Sequence, residues 1–198
     1  MDLRAALAKA WSELQASDPV AIEDRCGVVY DRGPGGIMVP FFLTQYTVHT
    51  GTKTFSPEPG LQEQVLILHY LLHASGTPLT GRWISFRELP GGSLYMDAFR
   101  RRALLPLMGT FGNSAPGLLE AAAAYGREVG EWGHASVILR PFPRVPVGVV
   151  VWEGDEELPA NASILFDSSA PDYLPTEDYA VLAGLIATGL ARAAGSSR

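Results

Sequence analysis

The sequence predicts an α+β fold in one domain: an antiparallel sheet of about five or six strands packed against a buried central helix and flanking helices. Residues 61–73 carry apolar side chains on every helical face, a pattern that only a buried helix tolerates. Amphipathic helical patterns stand at both ends of the chain. Between them lie short stretches rich in β-branched and aromatic residues, separated by turn residues as in strands. A length of 198 residues fits one core, with no linker or internal repeat to divide it.

Leu3, Leu7, Trp11 and Leu14 recur at helical spacing, so residues 2–16 form an amphipathic helix that Asp18-Pro19 ends. Residues 26–30, 36–43 and 45–50 read as an antiparallel meander. In residues 61–73, Leu61, Val65, Leu68 and Leu72 make one stripe, while Leu66, Ile67 and Leu71 cover the other faces. Gly76 and Pro78 stop this helix, and a long passage through Trp83, Arg87 and Pro90-Gly91-Gly92 reads as a functional loop. Ser93 caps a helix to about Leu105, where Pro106 breaks it; Ser114 with Pro116 starts another that ends at Gly126. Residues 136–140 and 147–152 are strands flanking a proline-rich connection, Pro141 to Pro146, and residues 164–166 are a short third strand. Thr176, followed by Glu177 and Asp178, starts the closing helix on a stripe of Leu182, Leu185, Ile186 and Leu190. The tail, residues 195–198, is expected to fray.

The chain is 47% hydrophobic and 18% charged, enough apolar material for a packed core and less charge than the usual quarter or so. Its net charge of -6 disfavours a nucleic-acid partner, which needs clustered Lys and Arg. The one basic run, Arg100-Arg101-Arg102, points three ways on a helix and reads as a solvated face. A single cysteine, Cys26, excludes an internal disulfide or a self-contained iron-sulfur cluster and suits a small buried group. Asp2 and Arg4 interrupt any leader-like apolar core, and no apolar stretch is long enough for a bilayer, so the expectation is a cytoplasmic protein with no membrane partner.

Three segments carry chemistry. Glu153, Asp155, Glu156 and Glu157 crowd four carboxylates into one turn; with Asp167 they offer oxygen ligands to a hard divalent cation such as calcium or magnesium, or a carboxylate pair for acid-base work. An exposed acidic turn explains the same run. His69 and His73, four apart on the central helix, can share a metal if a third ligand comes from His49, His134 or a carboxylate; buried histidines bonded to backbone carbonyls are the commoner explanation of such a pair. Trp83, Arg87 and Tyr95 combine aromatic rings, a guanidinium and nearby glycines, the ingredients of a pocket for a flat anionic ligand. Gly33-Pro34-Gly35-Gly36 lacks the lysine and helix of a phosphate loop, and Gly91-Gly92-Ser93 lacks a nucleophile elbow.

Leu66-Ile67-Leu68-His69-Tyr70-Leu71, the run from Pro78 to Gly92, and Val151-Trp152-Glu153-Gly154-Asp155-Glu156-Glu157 with Leu165-Phe166-Asp167 resemble, in this order, the domain of unknown function 3786 family of anaerobic bacteria and archaea. The resemblance spans roughly residues 20–190. It implies no activity, but it hints at anaerobic cofactor metabolism, since some relatives join the domain to a cysteine-rich iron-sulfur module like those of corrinoid and acetyl-CoA pathway proteins. With one cysteine, this chain would need an iron-sulfur or corrinoid protein as a separate partner. The resulting expectation is a non-catalytic accessory protein that binds a small molecule or cofactor, a tetrapyrrole or corrinoid among them. Trp83, Arg87, Tyr95 and Trp152 would form its wall and clamp, and His69 an axial ligand. The alternatives are a metal-dependent enzyme acting through Asp155, Glu156, Glu157 and Asp167, and a scaffold that docks a protein on its aromatic loop.

Overall fold

The computed structural model describes residues 2–33 and 35–196. The first helix, α1 (Leu3–Gln15), starts at Asp2, whose carboxylate accepts from the backbone N–H groups of Arg4 and Ala5. Asp18-Pro19 does more than close it. Asp18 caps, and Pro19 opens, a second helix, α2 (Pro19–Cys26), which ends at left-handed Gly27. Proline suits a first helical position because the N–H it lacks would have no helical partner there. The strand expected over residues 26–30 therefore starts later, at Val29.

Strands β1 (Val29–Asp31), β2 (Gly36–Phe41), β3 (Thr44–His49) and β4 (Thr54–Ser56) form an antiparallel meander. After α3 (Leu61–His73), a second antiparallel sheet has the order β5-β9-β8-β7-β6. Its strands are β5 (Trp83–Ser85), β6 (Glu128–Val129), β7 (Ala135–Phe142), β8 (Val145–Trp152) and β9 (Asn161–Asp167). The single sheet of five or six strands is thus two sheets of four and five. Strands of two or three residues, such as β4, β5 and β6, are too short to show alternation in sequence. Pro141 and Pro146 lie inside β7 and β8, where the register shifts between Leu139 and Phe142; an interrupted ladder can hold residues without an N–H.

Pro106 does not break its helix. The chain runs from α4 (Gly92–Phe99) through a π-turn over Arg100–Leu104 into α5 (Leu105–Phe111). There the Leu105 N–H donates to the Arg100 carbonyl, five residues back. The wider turn makes room for a proline ring that would clash in a regular α-helix. Helix α6 (Pro116–Ala122) follows, and α7 (Thr176–Ser196) closes the fold. The expected fraying tail begins inside α7 at Gly195; Ser197 and Arg198 lie outside the described residues.

Helix α3 joins the two sheets. Leu66, Ile67, Leu68, Tyr70 and Leu71 are all buried. The Tyr70 ring stacks on Phe142 of β7, centroids 4.3 Å apart, and Phe142 packs against Phe41 of β2 at 5.0 Å. The Tyr70 hydroxyl donates to the Cys26 carbonyl (2.5 Å) and accepts from the Arg144 N–H (3.3 Å) in the β7–β8 turn. A further bond, Phe42 N–H to the Pro141 carbonyl, ties the sheets at their edge. Tyr70→Phe keeps the stacking and removes the hydroxyl, so urea unfolding should report a loss of about 1–3 kcal/mol with an unchanged far-ultraviolet circular dichroism spectrum.

Candidate functional site

None of the three hollows described gathers the five residues expected to wall one cofactor pocket. Trp83 on β5 meets Trp132 edge-on at 5.2 Å, both rings over Gly148, on the face of the five-strand sheet opposite Val147, Val149 and Val151. Trp152 stands on the same face at the end of β8, packed near Gly133. Arg87 is exposed on a single 3-10 turn and makes no ion pair among the described residues. Tyr95 lines a hollow of about 340 Å³ with Pro90, Pro171 and Pro175. His69 faces α7. Of the five, only Tyr95 lines one of these three hollows among the described residues.

The acidic residues separate as well. Trp152 pairs with Asn161 across β8 and β9, whereas Asp167 ends β9 six residues further on, about 20 Å away at strand rise. Asp155 closes its own turn, accepting from the N–H groups of Glu157 and Leu158, and these backbone bonds hold its carboxyl below the usual range. Strand geometry therefore does not persist past Trp152, and Glu156 and Glu157 are exposed. Glu153 accepts from the Ala115 N–H at 2.5 Å, ahead of α6. Among the described residues no group of three or more His, Cys, Asp or Glu is arranged to hold a metal ion. His134 accepts from the Glu153 N–H through its Nδ1. Cys26 is buried against the Tyr70 and Leu71 carbonyls, and burial pushes its thiol up to about 11, which leaves it protonated and unreactive at neutral pH.

Asp167 is instead a knot. Its carboxylate, 3% exposed, accepts from the Thr80 N–H and hydroxyl, the Gly81 N–H, and the Ser169 N–H and hydroxyl. Burial pushes its pKa up, but the bonds from Ser169, Thr80 and Gly81 outweigh it and hold the carboxyl at about 2. A depressed folded value adds stability above the unfolded pKa and loses it as pH falls through the folded one. Asp167→Asn should therefore cost on the order of 2 kcal/mol at neutral pH, a gap to wild type that denaturation should show shrinking between about pH 4 and pH 2.

Two features along the α3–α7 seam have more chemical potential. First, His69 Nδ1 lies 2.6 Å from Asp178 Oδ2, with the His69 side chain 15% exposed and Asp178 at 1%. His73 stands one turn on, its ring edge-to-face with His69 at 5.5 Å. Partial desolvation, and then His69, hold the exposed His73 below the ordinary histidine pKa. Asp178 read in sequence as a favourable charge in the first helical turn; only tertiary packing shows it buried on a histidine.

Second, a groove of about 510 Å³ runs between the start of α3, the π-turn and α7. Arg102, Arg192 and Gln62 supply polar groups, Phe42 and Tyr125 aromatic ones, and Val181 and Leu185 an aliphatic floor. Glu63 also lines it, its carboxylate already accepting from the Gly60 N–H at 2.9 Å. Of the arginine run, Arg102 alone reaches this groove. Gly184 and Gly189 sit in the interior of α7: a Cβ on Gly184 would lie 3.3 Å from Arg102 Cβ, and one on Gly189 would collide with the Tyr125 hydroxyl. Two glycines inside an otherwise continuous helical pattern were the one signal of this groove in the sequence.

The chain matches, over residues 18–188, the family model described as a domain of unknown function (DUF3786). It belongs to that family. No curated protein and no solved structure matches the DUF3786 chain. Among its described residues no helix is long and apolar enough to cross a membrane.

Proposed function

We propose that this protein binds a small anionic molecule in the groove between α3, the π-turn and α7. The observation that carries this reading is a convergence: three independent departures from preferred backbone or helix composition meet at one hollow. Phe42 adopts φ 51°, a left-handed conformation uncommon for a bulky residue, with its ring 5.5 Å from Tyr125. The π-turn carries Arg102, and turns of this kind recur at functional sites. Gly184 and Gly189 each weaken α7 by about 1 kcal/mol relative to alanine, and what they gain is close approach of Arg102 and Tyr125. Strain that packing must offset is expected where function requires it.

The chemistry of the walls selects the ligand. Two guanidinium groups on a chain of net charge -6 favour a carboxylate or phosphate, which planar guanidinium can hold through paired hydrogen bonds. The rings of Phe42 and Tyr125 with Val181 and Leu185 suit an apolar body, and the volume falls within the range of small-molecule sites. This reading keeps the small-molecule function expected from the sequence and moves it from the Trp83 loop to α7.

A panel of aromatic and aliphatic carboxylates and phosphates, followed by thermal shift and then calorimetry, tests it. Members with both an anionic group and an apolar body should raise the melting temperature. Arg102→Ala should weaken their affinity about tenfold or more, the worth of a charged hydrogen bond, while Arg100→Ala leaves it unchanged. Equal affinity in wild type and Arg102→Ala would remove the groove from the function.

A further inference from the structure

We propose that His69 and His73 form an open two-imidazole site for a divalent first-row transition metal, with Asp178 as the outer carboxylate that orients His69. The proposal stands independently of the groove. Helical spacing of four places both rings on one face of α3, the arrangement by which a helix-borne histidine pair grips zinc. Metal-bound histidines commonly give their second N–H to a carboxylate, and the Nδ1 to Asp178 contact of 2.6 Å supplies that bond before any metal arrives. The tautomer that donates Nδ1–H to Asp178 leaves the Nε2 lone pair as the acceptor, and no hydrogen-bond partner for Nε2 occurs among the described residues.

The burial pattern agrees. A carboxylate at 1% exposure with one imidazole as its side-chain partner is an expensive way to hold two helices together, because burying a carboxylate costs more than a single hydrogen bond repays. As an orienting group it has a use: it fixes the tautomer, aims the ring and makes it a better donor. His73, more exposed than His69, stands on the solvent side as the second ligand. The third protein ligand that the sequence left open is not supplied among the described residues, so the remaining positions fall to water or an exogenous donor. Imidazole ligands favour zinc, nickel, cobalt or copper over magnesium and calcium.

The geometry also says where such a metal stands. Gln62, at the groove, lies seven residues before His69 on the same face of α3, about 10 Å along the axis. Val181, also in the groove, is one turn beyond Asp178 on α7. The metal site and the groove therefore share one seam.

The test uses untagged full-length protein and zinc, then cobalt, as the probe, with calorimetry for stoichiometry and the visible cobalt spectrum for nitrogen ligation. One metal per chain is expected. His73→Ala, at an exposed position that should not disturb folding, should weaken binding at least tenfold, as should His69→Ala. Asp178→Asn should weaken it about tenfold or more through the outer shell, while His49→Ala and His134→Ala leave it unchanged. Absence of binding, or zinc affinity that survives His73→Ala in a protein whose circular dichroism is unchanged, would overturn the proposal. Magnesium binding in place of zinc would also overturn it, pointing to carboxylates instead.

Discussion

The structure depends on one buried helix having a polar handle in the right place. Helix α3 is apolar on nearly all sides, so hydrophobic burial alone would hold it without fixing its rotation. The Tyr70 hydroxyl supplies the missing direction, bonding α2 on one side and the β7–β8 turn on the other while its ring stacks on Phe142. Burial raises the Tyr70 pKa far above its ordinary value, so the phenol keeps the proton that it donates. Once the rotation of α3 is set, His69 must face α7 and Gln62 must face the groove.

Asp167 plays the corresponding part for the second sheet. A carboxylate can satisfy several donors at once, and this one gathers the loop after α3 and the turn before α7 onto the end of β9. That gathering places β5 beside β9, with Trp83 opposite Asp167. The acidic side chain serves architecture here, and the metal ligand expected at Asp167 is a structural anchor that accepts from Thr80, Gly81 and Ser169.

The groove between α3 and α7 collects the places where local preferences yield to tertiary packing. A left-handed phenylalanine, a π-turn before a proline and two glycines inside a long helix have no shared local cause, but they share a location. Each lowers the stability of its own element. Together they bring two guanidinium groups, a phenol and an apolar floor into one hollow, which regular helices with side chains at every position would have filled.

Periodicity alone determined α1, α3 and α7, the β2–β3 meander and the β7–β8 hairpin, because each is long enough for burial on one face or on all faces to leave a repeat. The sequence also carried the Asp18-Pro19 start of α2, although its terminator role hid it. Tertiary structure decided the rest. Strands of two or three residues have no period to read, and Pro106 is tolerated only because Arg100 and Leu105 open the helix around it. Of the neighbours in the chain Trp83, Arg87 and Tyr95, only Tyr95 lines a described hollow, whereas His69 and Asp178, 109 positions apart, are in hydrogen-bond contact. Chain proximity constrains side chains only within a turn or a strand; which buried polar groups meet across elements is set by packing, and no one-dimensional pattern records it.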